Sequence, residues 1–223
     1  MIERKAMALV LMSGGLDSTT LLHYIVKELK YSHVIAVGFD YGQKHIRELE
    51  FAEEQCKNLR ISFYRLNISS VFTGKTALTS DELNIPKQAE GKQHLTVVSL
   101  RNTAFLVLAA KWLMDENIVS WEDGVDIFYC PTKEDFKSYV DCREDFIAAI
   151  SQALVKGSGG FIRGVFAPFV GMWKKDIVKL GVWLGVDYSK TYSCYKGGEK
   201  QCGVCDACVG RLNALKEGGY KNG

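Results

Sequence analysis

Ser13, Gly14, Gly15, Leu16, Asp17 and Ser18 lie between an apolar run and a helical period. The two glycines let the backbone turn tightly and approach an anion with no Cβ in the way. A helix starting there presents unpaired N–H groups and the positive end of its dipole. Ser13 and Ser18 add hydroxyl donors. These features suit a grip on phosphates; the plainer alternative is a Gly-Gly turn with a serine cap. Asp17 is out of place in an anion site unless a cation, Mg²⁺, is shared with the phosphates. No lysine follows the glycines, so the Walker pattern is absent.

The second cluster is Cys194, Cys202, Cys205 and Cys208, spaced Cys-x7-Cys-x2-Cys-x2-Cys. Gly197, Gly198 and Gly203 let the chain curl so that the sulfurs can face one point. Four converging thiolates suit structural Zn²⁺ with no position left open for water. A Cys-x2-Cys pair also serves redox or sulfur-relay chemistry, and cysteine-rich runs also hold iron–sulfur clusters. Four cysteines with no fifth nearby favour zinc. Cys56, Cys130 and Cys142 read as core or pocket residues.

These clusters must be carried by regular elements. Continuous apolar runs at 8–12 and 34–39 read as strands buried on both faces. Further strands are expected at 61–66, 125–129 and 161–166. Helical periods fill 16–30, 46–59, 101–114, 145–155 and 174–184, the last closed by Gly185. Residues 67–96 mix Ser, Thr, Gly and Lys without a period and read as a long loop serving the site. From 187 onward the pattern dissolves into a Cys/Gly-rich tail. The alternation implies an α/β fold, a parallel sheet with helices on both faces. The expected division is an α/β domain over 1–186 and a zinc-binding segment over 187–223. In such a sheet the site lies along the edge where the strands end.

Bulk properties narrow the function. The net charge of the 223 residues is only +2, so no broad cationic surface for nucleic acid is expected. No apolar run is expected to span a membrane, and 1–5 lack signal-peptide anatomy. A cytoplasmic protein is therefore expected. Seven cysteines in that setting favour metal binding or catalysis over disulfides.

The loop Ser-Gly-Gly-x-Asp-Ser resembles the PP-loop of ATP pyrophosphatases, which cleave ATP between its α and β phosphates. Together with the four cysteines it resembles the 7-cyano-7-deazaguanine synthase family of the queuosine pathway. Further segments agree: Phe39 to His45, Arg101-Asn102 with Phe105, Tyr139 with Asp141-Cys142-Arg143 and Phe146, Ala167-Pro168 with Lys174 and Ile177, and Thr191 to Tyr195. The resemblance implies an ATP-dependent ligase that turns 7-carboxy-7-deazaguanine and ammonia into a nitrile through adenylated acid and amide intermediates. It implies ATP binding by Leu11, Met12, the loop Ser13 to Ser18, Thr19, Phe39 and Gln43. Lys174 would neutralise phosphate charge. Arg101 and Arg143 would clamp the substrate carboxylate or an α-phosphate oxygen. Asn102, Tyr139 and Asp141 would complete the acid pocket, with Asp141 accepting from the guanine-like edge. Gln43 and His45 lie on the loop after the second strand and read as site residues, and His23 as a packing or surface residue. A homodimer is implied, acting on small molecules with no direct nucleic-acid or membrane partner. No glutaminase module fits beside the ATP domain, so free ammonia is the expected nitrogen source.

The departures from the family pattern cluster around the pocket implied for the acid. Ser99 stands where a proline is usual before Arg-Asn, and Cys130 where a glycine follows the fourth strand. Ser138 and Val140 replace Gly and Pro around Tyr139, and Trp173 replaces a serine before Lys174. These changes leave rival readings: a ligase that stops at the amide or joins the acid to another amine, a PP-loop tRNA sulfurtransferase, and a nucleotide-binding module without catalysis.

Overall fold

The computed structural model describes residues 7–121 and 123–221. Five strands form one parallel sheet: β1 (Met7–Leu11), β2 (Val34–Asp40), β3 (Ser62–Asn67), β4 (Val125–Phe128) and β5 (Ile162–Phe166). Their order is β3-β2-β1-β4-β5, with Leu9 level with Ile35 on one side and with Ile127 on the other. The strand order reverses at β1. The split between β1 and β4 is the place where open parallel sheets form their crevice.

Strand periodicity divides the core. Ala8 and Val10 point to a layer with Leu21, Leu22, Ile177 and Val178. Met7 and Leu9 point to the opposite layer with Leu106, Leu113, Ile150 and Ile162. The first layer carries α1 (Leu16–Tyr24), α2 (Glu48–Asn58) and α5 (Lys174–Trp183). The second carries α3 (Arg101–Glu116) and α4 (Glu144–Gly157). Each fully buried Leu or Ile contributes about 1.5–3 kcal/mol, so two such layers hold the sheet rigid beneath the site.

The expected elements are present, with three corrections. The helix expected over 16–30 is α-helical only to Tyr24, continues as a π-helical turn over Ile25–Leu29, and ends on Lys30 at φ 56°. The loop expected over 67–96 contains short 3-10 turns at Ser69–Val71, Gln88–Glu90 and Gln93–Thr96. The tail is not irregular: α6 (Asp206–Glu217) follows the last cysteines. Its inward face is Cys208, Arg211, Ala214 and Leu215, a helical spacing masked in the sequence by a cysteine and an arginine. The stretch His94–Glu116 is also long and apolar enough, by length and composition, to cross a membrane. Here it is a bent segment whose helical part buries Leu106, Ala109, Ala110 and Leu113 against the sheet.

The tail is strapped across the phosphate loop. Tyr192 N donates to Gly14 O at 2.9 Å, Thr20 and Tyr188 share a hydroxyl contact at 2.7 Å, and Arg211 donates to Thr191 Oγ1 at 2.6 Å and Tyr188 O at 2.5 Å. The chain before α3 joins from the other side, through a Lys87–Cys205 bridge.

Gly14 is the tightest point of this assembly. Its φ is +79°, and a Cβ there would lie 2.1 Å from Glu48 O and 2.7 Å from Ala52 N. Both obstacles are backbone, so no side chain can swing clear. Gly14→Ala is expected to lower stability by about 2–4 kcal/mol, combining left-handed strain and overpacking. A melting curve within about 0.5 kcal/mol of the parent would contradict this packing.

Candidate active site

The loop leaves β1 at Leu11 and enters α1 at Leu16, so its amides face the crevice between β1 and β4. Ser13 Oγ and Ser18 Oγ lie 3.0 Å apart. Gly15 N donates to Ser13 Oγ at 3.3 Å, and Ser13 N to Ser18 Oγ at 3.3 Å. The hydroxyls thus hold the loop open in the shape an anion needs. No side chain caps the start of α1, which leaves its N-terminal amides for a ligand.

Lys174, the first residue of α5, reaches across to Asp17 at 3.3 Å. Its backbone N–H donates to Glu134 Oε1 at 2.8 Å. Burial works against the Lys174 ammonium, but Asp17 and Asp135 hold its pKa well above the ordinary value. Burial pushes the Asp17 carboxyl up while Lys174 pulls it down. Asp17 Oδ1 is buried with no hydrogen-bond partner among the described residues. Such an orphan oxygen is costly unless something fills its place.

The loop opens into a cavity of ≈ 820 Å³. Phe39 at the end of β2 stacks on Phe105 of α3, with centroids 4.4 Å apart and rings 14° from parallel, a flat apolar wall suited to a heteroaromatic ring. Arg101 and Asn102 enter from the first turn of α3, and Tyr139 and Tyr195 from the loops beside it. Burial opposes the Arg101 charge, but Tyr41, Tyr195 and Tyr139 around it keep the guanidinium protonated.

Of the residues expected to bind ATP, Leu11, Met12, Ser13, Gly15, Leu16, Asp17, Ser18 and Phe39 line this cavity. Gly14, Thr19 and Gln43 lie behind its wall. Gly14 is wedged against α2. Gln43 spends its amide on the backbone, accepting from Tyr41 N at 2.8 Å and donating to Phe39 O at 2.9 Å. It therefore shapes the loop after β2. Among the expected substrate residues, Arg101, Asn102 and Tyr139 line the cavity, while Asp141 and Arg143 do not. Arg143 is turned aside and donates to Phe136 O through Nε and a terminal nitrogen at 3.2 and 3.1 Å. Asp141 Oδ2 accepts from Asn102 N at 3.3 Å and so secures the start of α3 that carries Arg101. Three of the departures from the family pattern, Cys130, Ser138 and Trp173, face the cavity; Val140 is exposed. His23 is buried, and its pKa is lowered to about 4 by burial and then by Lys27.

Sequence reasoning missed Glu48, Glu134 and Asp135, all on the cavity wall. The available signal was position: each follows shortly after a strand that ends on the crevice side.

Behind the loop, the Sγ atoms of Cys194, Cys202, Cys205 and Cys208 all lie within 4.8 Å of one another. Three are buried and Cys202 is half-buried. Cys202 N donates to Cys194 Sγ at 3.3 Å, and Cys205 N to Cys202 Sγ at 3.4 Å. Burial resists ionisation of Cys202, but the Val204 and Cys205 amides and hydrogen bonds from the Cys194 and Cys205 thiols prevail and lower its pKa to about 7. The cluster can hold a metal ion. Cys56, by contrast, is pushed up to about 12 by burial and belongs to the core.

A Rossmann-like parallel sheet with a lysine-free Ser-Gly-Gly-x-Asp-Ser loop at its switch point defines the PP-loop class. The fold alone is shared with the U34-tRNA thiolase NcsA from Methanococcus maripaludis, at a TM-score of 0.53 and 14% identity over 98% of this chain and 68% of that one. Within the class, the chain belongs to the family described as queuosine biosynthesis protein QueC, matched over residues 7–219. It is 40% identical to the 7-cyano-7-deazaguanine synthase of Thermoplasma acidophilum, over 99% of this chain and 92% of the relative. It is 39% identical to that of Caldicellulosiruptor bescii, over 96% and 95%. These relatives do not favour the sulfurtransferase reading or the non-catalytic one.

Proposed function

We propose that this chain makes 7-cyano-7-deazaguanine from 7-carboxy-7-deazaguanine, ammonia and ATP. The observation that carries this is the continuity of one cavity from the Ser13–Ser18 loop to Arg101 and the Phe39–Phe105 wall, in a chain whose relatives bear that name.

The acid's carboxylate attacks the α-phosphorus of ATP, and pyrophosphate leaves. Ammonia then displaces AMP to give the amide. A second ATP activates the amide oxygen, and loss of AMP leaves the nitrile. Such chemistry needs positioning and charge neutralisation more than a protein nucleophile. The loop amides and the Ser13 and Ser18 hydroxyls hold the departing pyrophosphate, and Lys174 neutralises its charge. Arg101 binds the carboxylate or an α-phosphate oxygen. Asp141 acts from behind by holding the start of α3 that carries Arg101 and Asn102, and Arg143 by holding the turn around Phe136. The orphaned Asp17 Oδ1 fits Mg²⁺, which when bound would supply charge neutralisation to the triphosphate. The four-sulfur cluster fits structural Zn²⁺, a closed site that ties the tail down. The working unit is a cytoplasmic homodimer that uses free ammonia.

The test is to incubate the protein with the acid, ATP and ammonia and weigh the products. A nitrile with two AMP and two pyrophosphate per turnover is expected. Amide that accumulates without nitrile would overturn the reading.

A further inference from the structure

Ammonia brings three hydrogens to this reaction, and a nitrile nitrogen keeps none. When ammonia attacks the acyl adenylate, a C–N bond forms, the C–O bond to AMP breaks, AMP takes the electron pair, and nitrogen sheds one proton. When the amide oxygen attacks the second ATP, an O–P bond forms and pyrophosphate leaves. The later C–O cleavage releases AMP with its electron pair as one N–H pair becomes the third C–N bond and the other stays on nitrogen as its lone pair, and two protons depart. The adenylations therefore shed no proton from nitrogen, and the two AMP-releasing steps shed three. A proton acceptor is needed beside the acyl carbon. The cavity must supply one, because water is largely displaced when both substrates fill it.

We propose that Glu48 is that acceptor. The proposal rests on the synthase reading above. Glu48 opens α2 and lines the cavity, its side chain 14% exposed. Its backbone is locked against the phosphate loop at Gly14. Other cavity carboxylates are committed elsewhere. Asp17 pairs with Lys174 at 3.3 Å. Glu134 accepts from the first amide of α5 at 2.8 Å. Asp135 accepts from Thr132 N and Oγ1 at 2.8 and 2.7 Å. Glu217 pairs with Lys175 at 3.8 Å, and Asp206 opens α6 next to Cys205.

The groups facing Glu48 suit the role. His45 Nε2 lies 3.7 Å from Glu48 Oε1 and 3.4 Å from Tyr41 OH. Gln43 reaches it from the loop before α2, and the Arg101 guanidinium faces it from α3. Tyr195 stands against His45, with ring centroids 5.6 Å apart. Burial raises the Glu48 pKa to about 8, with Arg101 and then Gln43 opposing the rise. A carboxylate of that basicity takes protons near neutral pH far better than an ordinary one. His45, the other candidate, is driven down to about 3 by burial and by Arg101, and so holds a proton poorly.

The experiment separates proton-shedding steps from adenylation. Glu48→Gln keeps the size and polarity but cannot take a proton. Acid-dependent exchange of labelled pyrophosphate into ATP, which reports the first adenylation, is expected to persist within roughly threefold. Formation of amide and nitrile is expected to fall by about 10²–10⁴-fold. Glu48→Asp should recover part of the loss. In the parent, at a fixed concentration of free NH₃, the nitrile-forming rate should rise with pH through about 8, where Glu48 deprotonates; in Glu48→Gln that rise should vanish. Parent-level nitrile formation by Glu48→Gln, an equal fall in exchange and nitrile, or an unchanged pH rise would each overturn the proposal. A parent protein that makes no nitrile would instead overturn the synthase reading on which the proposal stands.

Discussion

Lys174→Ala is expected to slow pyrophosphate release by about 10²–10³-fold, the usual loss when one preorganised charge-stabilising group is removed. Lys174 is the first residue of α5, a helix whose start is held by Glu134. Its ammonium lies 3.3 Å from Asp17, within the phosphate loop itself. Charge builds on the leaving pyrophosphate as the α–β bond breaks, so the missing cation is felt more in the transition state than in bound ATP. The loss should therefore appear mainly in kcat. Asp17 would lose its counter-charge and take up a proton more readily, because its carboxyl is already pushed up by burial. Lys174→Arg should recover little, because a planar fork does not replace a point charge in a fitted space. AMP formation within roughly tenfold of the parent would refute the role assigned to Lys174.

Removing the metal proposed for the four cysteines is the second large perturbation. Four sulfurs that all lie within 4.8 Å of one another suit a single cation. The cluster lies in the segment that carries Tyr192 over Gly14 and packs α6 against α5. Cys205→Ser, or a strong chelator, is expected to lower the metal content from one per chain to none. The expected cost is about 3 kcal/mol or more, which for a chain of this size lowers Tm by roughly 6–12 °C. A colourless parent containing zinc fits a structural site; a coloured one containing iron would reassign the cluster. A chelated protein with parent-like Tm would show that the tail stands without metal.

The sheet and its five flanking helices were legible because the central strands are continuous apolar runs and the helices between them carry apolar residues at helical spacing. The phosphate loop and the cysteines were legible because their residue types have few other uses at that spacing. What escaped was set by distant contacts. Helix α6 hides its inward face behind Cys208 and Arg211, and Arg211 is buried only because Thr191 and Tyr188 accept its hydrogen bonds. Arg143 and Gln43 have the composition of site residues, yet local backbone carbonyls and amides claim them. Glu48 reads as an ordinary first-turn helix acid; only the fold brings it beside Arg101 and gives it an altered basicity.

The bond from Tyr192 N to Gly14 O also bears on how the protein is born. Its two ends are 178 residues apart (192 − 14), and β4, the neighbour of central β1, arrives only at Val125. At the usual 5–20 residues/s, roughly 10–35 s pass between the emergence of the loop and that of its strap. During that interval the nascent chain carries a nucleotide motif whose cavity is still incomplete. The ribosome therefore makes the phosphate loop well before Lys174, Tyr192 and Tyr195, the residues that complete the cavity around it.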